Sequence, residues 1–299
     1  MNNGEMLIGW SEVSITPNKR VGLMGQFIER ISEYTETEVT ATSVAISRGE
    51  EAVVFCSCDL VGVTRELVSA VREKITARGG PDPDKVIINA THTHTSLQYK
   101  NGLDTLSFST GILERYLPYE KTEKVTAEDV MGEEEAFDFL AERIAVCIMR
   151  AWENRRSGYI DLAFGRAAVG MCRRVCYSDG CALMWGDTSQ ENFVSLEGAN
   201  DSGVELMYFH DTNGSLVGAA VNIACPAQVL EHRLFISSDY WGKVKRRLRK
   251  KYGKDFFVLA LCAPAGDQCP RDLIRWVAPE SPISDPNISR EDRVKSFHV

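Results

Sequence analysis

VIINATHTHTS, residues 86–96, joins a short apolar run to a polar turn. The run Val86–Ile88 predicts a buried strand, and the turn after it carries Thr91, His92, Thr93, His94 and Thr95. Two of the five histidines of the chain therefore stand at one strand end. In an extended segment alternate side chains share a face, so His92 and His94 are expected to point the same way. Strand ends of α/β sheets are where ligands and metals collect, and imidazole is the commonest metal ligand. Two on one face can grip one ion, or divide into a ligand and its supporting partner. A polar loop whose histidines satisfy buried hydrogen bonds would read the same, so the pair alone leaves both readings open.

Working outward, Thr64–Ala77 precedes this stretch as a helix, with Leu67, Val68, Val71 and Ile75 at helical spacing and Gly79-Gly80-Pro81 as its stop. Before it, Thr40–Ile46 and Ala52–Cys58 flank a Gly-containing turn and read as a hairpin. Met6–Trp10 is a further strand, ended at Thr16-Pro17, and Gly22 and Gly25 frame a loop. Downstream, Leu97–Met131 breaks the rhythm: it is polar, carries Tyr99, Phe108, Tyr116 and Tyr119, and is expected to be an insertion, either a substrate lid or a plain surface excursion. Glu133–Arg155 follows as an amphipathic helix with Phe137, Leu140, Ile144, Ile148 and Trp152 on one stripe, then Tyr159–Phe164 as a strand.

The order then returns. Val204–His210 and Leu216–Ile223 are strands around Asp211-Thr212-Asn213-Gly214, a loop leads to a helix at Asp239–Tyr252 closed by Gly253, and Phe256–Leu261 is the next strand. It delivers APAGDQCP, residues 263–270, at the place that THTHTS holds in the first unit. The expected fold is a layered α/β domain with a mixed sheet, built from two similar strand-turn-strand-loop-helix-strand halves that present their loops to one edge.

The 299 residues are 44% hydrophobic and 25% charged, which is globular composition for one large or two small domains. A net charge of −8 argues against a general nucleic-acid binder. The helix at 239–252 carries seven Lys and Arg residues, but with Val244 and Leu248 as its inward stripe the rest is expected to be a solvated face. No apolar run is long enough to span a membrane, and MNNGEMLIGW lacks the features of a signal peptide, so the expected location is the cytoplasm. Nine cysteines then read as reduced thiols, some buried and a few available as ligands or nucleophiles.

GWSEVSITP, CSCDL, INATHTHTS, the span from NIACPAQ to FISSDYWG, and APAGDQCP follow one another from Gly9 to Pro270 in an order that resembles the neutral ceramidase-like proteins. The resemblance implies a single α/β catalytic domain over the chain that binds one zinc ion. His92 matches the first histidine of the family's THTH motif, a metal ligand, and His94 the second, which lies in the pocket. The family's next zinc histidine stands eleven positions before the Ile of an Ile-Ser pair, and counting back from Ile236 lands on Cys225. A cysteine thiolate is a zinc ligand in its own right. The active-site serine of the family falls on Cys269, and GMCRRVCYSDG looks like a segment that places Arg174 near the pocket. The family's glutamate and tyrosine ligands, and the Ig-like domain of the true ceramidases, lie beyond the GDQCP motif and have no counterpart placed here. Either the chain is a fragment, or its site is completed by Asp59, Asp239 or a second subunit; in place of Cys225, His232 approaches from the same loop or the metal site is altered or lost; and an incomplete sheet edge points to a homo-oligomer or to poor solubility.

The resemblance implies a zinc-dependent hydrolase of an amide bond in a small-molecule or lipid-like substrate that need not be ceramide; spacing alone would not separate an amide from an ester or glycoside. Zinc on His92 and Cys225 would activate water, with His94 orienting that water or steadying the oxyanion. Arg174 would hold a polar substrate group, Asp267 would position the loop or act as base, and Cys269 would lie at the reacting carbon. The alternatives are a metal-free thiol hydrolase using Cys269 with His94 or His232, and a non-catalytic relative that only binds a ligand.

Overall fold

A computed structural model describes residues 4–26, 29–100 and 128–274. Most of the segment expected to be an insertion, 101–127, lies outside the described residues, and the expectation of a lid with it. Its two ends are tied down: Leu97 and Tyr99 are fully buried, and Val130–Met131 pairs with Arg20–Val21.

Strands β1 (Met6–Ser14), β2 (Thr40–Arg48) and β3 (Glu51–Cys58) pair antiparallel, β2 lying between the other two. Helix α1 (Arg65–Ala77) then crosses to β4 (Val86–Ala90), which lies parallel to β3. Thr64 starts α1 as an N-cap by accepting from the Leu67 amide, while Leu67, Val71 and Ile75 bury one face. After helix α2 (Glu133–Glu153) the same order recurs. Strands β5 (Arg156–Arg166), β6 (Gly203–Asp211) and β7 (Leu216–Ile223) are antiparallel, and helix α3 (Asp239–Tyr252) crosses to β8 (Phe257–Cys262), parallel to β7. The halves join in one eight-stranded mixed sheet, β8-β7-β6-β5-β1-β2-β3-β4, through a short antiparallel pairing of Leu7 and Ile8 with Ser157 and Arg156. The repeated order of elements anticipated from the sequence is present.

With so short a joint the two halves fold face to face, and side-chain alternation sorts each strand into two layers. On one face of the first half, Val13, Ala41, Ala45, Val54 and Cys56 pack under α1 and α2. On the other, Ile8, Trp10 and Val44 meet Phe209, Ala220 and Leu259 of the second half. Trp10 stacks on Phe257 at 5.5 Å and meets Phe209 edge-on at 4.9 Å, and Ser57 and Asn89 both donate to the Ala260 carbonyl. The outer face of the second half packs Ala219, Ile223 and Val258 under Trp241 of α3. The result is four layers: helices, sheet, sheet, helix.

Three expectations are corrected. Val86–Ile88 is not buried throughout, because β4 is an edge of the sheet and Ile87 faces outward. The basic helix is not all solvated: Arg246, Arg247, Lys250 and Lys251 are exposed, but Lys245 turns inward to Thr40 and Asp59, and Arg249 to Glu12. Residues 171–196, left without elements by the sequence reading, form a small antiparallel sheet of Ala182–Met184, Arg174–Tyr177 and Phe193–Leu196. No described helix is long and apolar enough to cross a membrane.

Candidate functional site

Strands β3 and β4 end side by side at Cys58 and Ala90. The chain after β4 stays tied to the chain after β3, with the Thr91 amide on the Cys58 carbonyl at 3.0 Å and the Thr93 amide on that of Leu60 at 3.1 Å. His92 lies beyond the strand in a left-handed backbone, φ 63°, a conformation rare for residues other than glycine. The two imidazoles therefore meet through this turn, and not through the strand alternation expected from the sequence. His92 Nδ1 stands 2.7 Å from the Val61 carbonyl. A carbonyl only accepts, so Nδ1 carries a hydrogen.

His94 is buried, its ring laid on the backbone of Gly25, where φ is 107° and a Cβ would come within 2.5 Å of the ring. Its Nε2 is 3.2 Å from His92 Nε2 and 2.8 Å from the side-chain nitrogen of Gln228. Its carbonyl accepts from Arg30, which also donates to the carbonyls of Met24 and Glu231. Burial first, then the charges of His92 and Arg30, hold the His94 imidazole well below its usual range and keep it neutral.

The far wall is the loop after β7. The Ala227 amide bonds the Thr91 carbonyl at 3.2 Å and the Ser237 amide that of Thr95 at 2.9 Å, while the Thr93 and Thr95 hydroxyls both donate to the Ser237 carbonyl. This loop brings in Glu231, 5% exposed, which accepts from Arg271 at 3.1 Å and lies 3.8 Å from His94 Nδ1 and 3.5 Å from His232 Nε2. Burial raises the Glu231 carboxyl against the opposing charges of Arg271 and Arg173. Gln228 and Glu231 were missed in the sequence because an irregular loop has no period to mark them.

The remaining sequence candidates are placed as follows. Cys225 is fully buried, with its thiol on the carbonyls of Val169 and Pro226, and burial pushes that thiol far up. Cys269 is buried against the Arg271 carbonyl and is pushed up to about 11, chiefly by burial. Asp267 is exposed, and its carbonyl accepts from the Arg173 amide. Arg174 pairs with Glu197 at the surface. The neighbouring Arg173, not singled out from the sequence, is the arginine whose charge bears on His94, Glu231 and Cys269. Asp59 is engaged by Thr40, Thr91 and Lys245, and Asp239 by the amides of Leu230 and Tyr240. The His232 side chain is 68% exposed.

A metal is tested by these donors. Two ligand nitrogens of a tetrahedral zinc ion stand roughly 3.3 Å apart when each bond is about 2.0–2.1 Å, and the two Nε2 atoms are 3.2 Å apart. A ligating histidine also donates its other nitrogen to a carbonyl or carboxylate, as His92 does. The two nitrogens have the spacing of one pair of such ligands. Among the described residues no group of three or more His, Cys, Asp or Glu side chains is gathered for one.

No family model matches the chain, and no curated protein matches it. Solved structures do. The neutral ceramidase from Pseudomonas aeruginosa superposes over 99% of this chain with a TM-score of 0.70 at 17% identity. A second structure, described as ceramidase complexed with C2, superposes over 97% with a TM-score of 0.66, also at 17% identity. The chain thus has the fold of the neutral ceramidases over nearly its whole length, and it spans 43% and 42% of those two chains.

Proposed function

We propose that this chain is a ceramidase-like hydrolase that uses a zinc ion at the His92–His94 pair to cleave an amide bond in a small N-acyl compound. The observation that carries the reading is the convergence of the two Nε2 atoms at 3.2 Å in a wall of buried threonines. His92 would hold the ion through Nε2, its ring fixed by Val61. Zinc, when bound, lowers the pKa of coordinated water to about 7 and polarises a carbonyl. The Gln228 amide and the Arg173 guanidinium supply positive potential where an amide carbonyl would gather charge. The buried hydroxyls of Thr93 and Thr95 are spent on Ser237, which closes the floor against water.

Cys269 serves as wall in this reading. Its thiol stays protonated at neutral pH and donates to a backbone carbonyl, which speaks against a thiol nucleophile. Asp267 acts through its backbone by fixing Arg173. Binding without turnover is the second reading, favoured by Cys225 standing where the resemblance expects a histidine.

The test is release of free amine from a panel running from N-acylsphingosine to N-acyl amino acids. Turnover that disappears in His92→Ala and on chelation, with thermal unfolding unchanged, is the expected result. Compounds that bind and are never cleaved would establish the second reading instead.

A further inference from the structure

Strand β5 is paired along the whole of one edge and hardly at all along the other. Gly158–Arg166 pair residue for residue with β6, whereas β1 meets β5 only at Arg156 and Ser157. Among the described residues, Tyr159–Arg166 therefore present a second edge with no ladder partner. Alternate residues of such an edge offer an amide N–H and a carbonyl to a strand laid beside it.

The side chains do not guard this edge. Leu162 and Phe164 stand opposite Met207 and Glu205, so they share the face on which Ile160, Met207 and Phe209 pack between the two sheets. That apolar row runs out past the joint into solvent, with Leu162 78% and Phe164 62% exposed. Proteins blunt open edges with lysine, proline, a bulge or an inward charge. GYIDLAFG, residues 158–165, holds no Lys and no Pro, and its register with β6 runs without a shift. Its one charge, Asp161, lies on the opposite face, 3.3 Å from Nε2 of His210, on which Tyr159 stacks at 4.7 Å.

We propose that β5 pairs along this edge with β5 of a second copy of the chain, antiparallel about a two-fold axis, so that the sheet of the second half continues from one protomer into the other. An axis perpendicular to the sheet keeps each face on its own side, and the same patch then serves both copies. With Ala163 at the axis, Leu162 of each copy stands opposite Phe164 of the other. Ile160 then stands opposite Arg166, whose guanidinium already lies over Phe164 at 5.6 Å. On the other face Asp161 meets Gly165, which leaves the two carboxylates roughly 14 Å apart. The edge is complementary to itself: apolar row meets apolar row, and the one acid meets a glycine. Aromatic and aliphatic pairs directly opposite one another are among those that stabilise an antiparallel ladder. The pairing does not depend on the chemistry of the histidine turn.

The experiment is molar mass by light scattering after gel filtration of the full chain over a range of concentrations, with amide hydrogen exchange across residues 159–166. The proteins are the wild type, Leu162→Glu, Phe164→Glu and, as a control at an exposed apolar residue of the small sheet, Leu183→Glu. The wild type is expected to be a dimer with slowed exchange in β5. Either β5 substitution should weaken the dimer about 30-fold or more and speed that exchange, with an unchanged circular dichroism spectrum, while Leu183→Glu stays dimeric. Should Leu162→Glu fail to fold, Phe164→Glu decides the question by itself. A wild type that is monomeric at every concentration overturns the proposal and leaves the edge to a strand of another polypeptide. A dimer that both β5 substitutions leave intact overturns it too, because the interface then lies elsewhere.

Discussion

His92, Trp185 and Asp239 are the non-glycine residues that carry a left-handed backbone among those described, and all three surround one site. His92 aims its ring by this turn. Trp185 has its amide on the Arg173 carbonyl and its ring 5.2 Å from the Arg271 guanidinium. Asp239 opens α3 and spends both carboxylate oxygens on the amides of Leu230 and Tyr240, so it shapes the loop that delivers Glu231. Such strain persists only where the surroundings fix it. Burial, opposed by backbone hydrogen bonds, raises the Asp239 carboxyl from 3.8 to about 6. A carboxyl raised by folding binds its proton more tightly in the folded state, so its contribution to stability should grow as pH falls from about 6 to 3.8, by up to about 3 kcal/mol in all. Urea midpoints should show this gain in the wild type and not in Asp239→Asn; equal pH slopes would refute it. Of these residues the sequence revealed the histidines, because H-x-H after an apolar strand is a pattern. Arg173 and Arg174 are adjacent in the chain, and only the pairing of the small sheet decides which charge faces the site.

At the scale of elements the sequence was more legible, because periodicity reports burial directly. The α1 and α3 boundaries and both hairpins lie within a residue or two of the positions read from spacing and turn residues. What spacing did not report is close approach. Gly9 lies in β1 where α2 crosses it, and a Cβ there would sit 2.1 Å from the Ala151 carbonyl and 2.7 Å from the Arg155 amide nitrogen. Both obstacles are backbone, so no rotamer change relieves them. Gly9→Ala should destabilise the fold by about 3 kcal/mol or more, although alanine favours neither helix nor strand enough to explain such a loss. A thermal melt close to that of the wild type would show that α2 can slide. Lys245 taught the opposite lesson: one cation among seven in a helix gives no sign that it will be buried beside Asp59.

At the scale of the whole molecule, alternation says which residues are buried but not against what, so the face-to-face packing of the halves was hidden in the sequence. Glu12 makes that packing measurable. It sits on β1 of the first half and takes Arg249 at 2.8 Å and Lys245 at 3.8 Å from α3 of the second. Burial would raise its carboxyl, but the Lys245 charge and the Arg249 hydrogen bond outweigh burial and hold it below 4.5. A carboxyl depressed by folding contributes stability that is fully present above its unfolded value and is lost as pH falls through its folded value. Glu12→Gln should therefore cost about 1.5–3 kcal/mol at pH 7, and the difference from the wild type should shrink as pH falls below 4.5. If the halves are one cooperative unit, tryptophan fluorescence and circular dichroism will give the same urea midpoint in both proteins. A Glu12→Gln chain in which the two probes separate would mean that this contact holds the halves together. A difference that does not change with pH would mean that Glu12 acts by packing, with its charge playing no part.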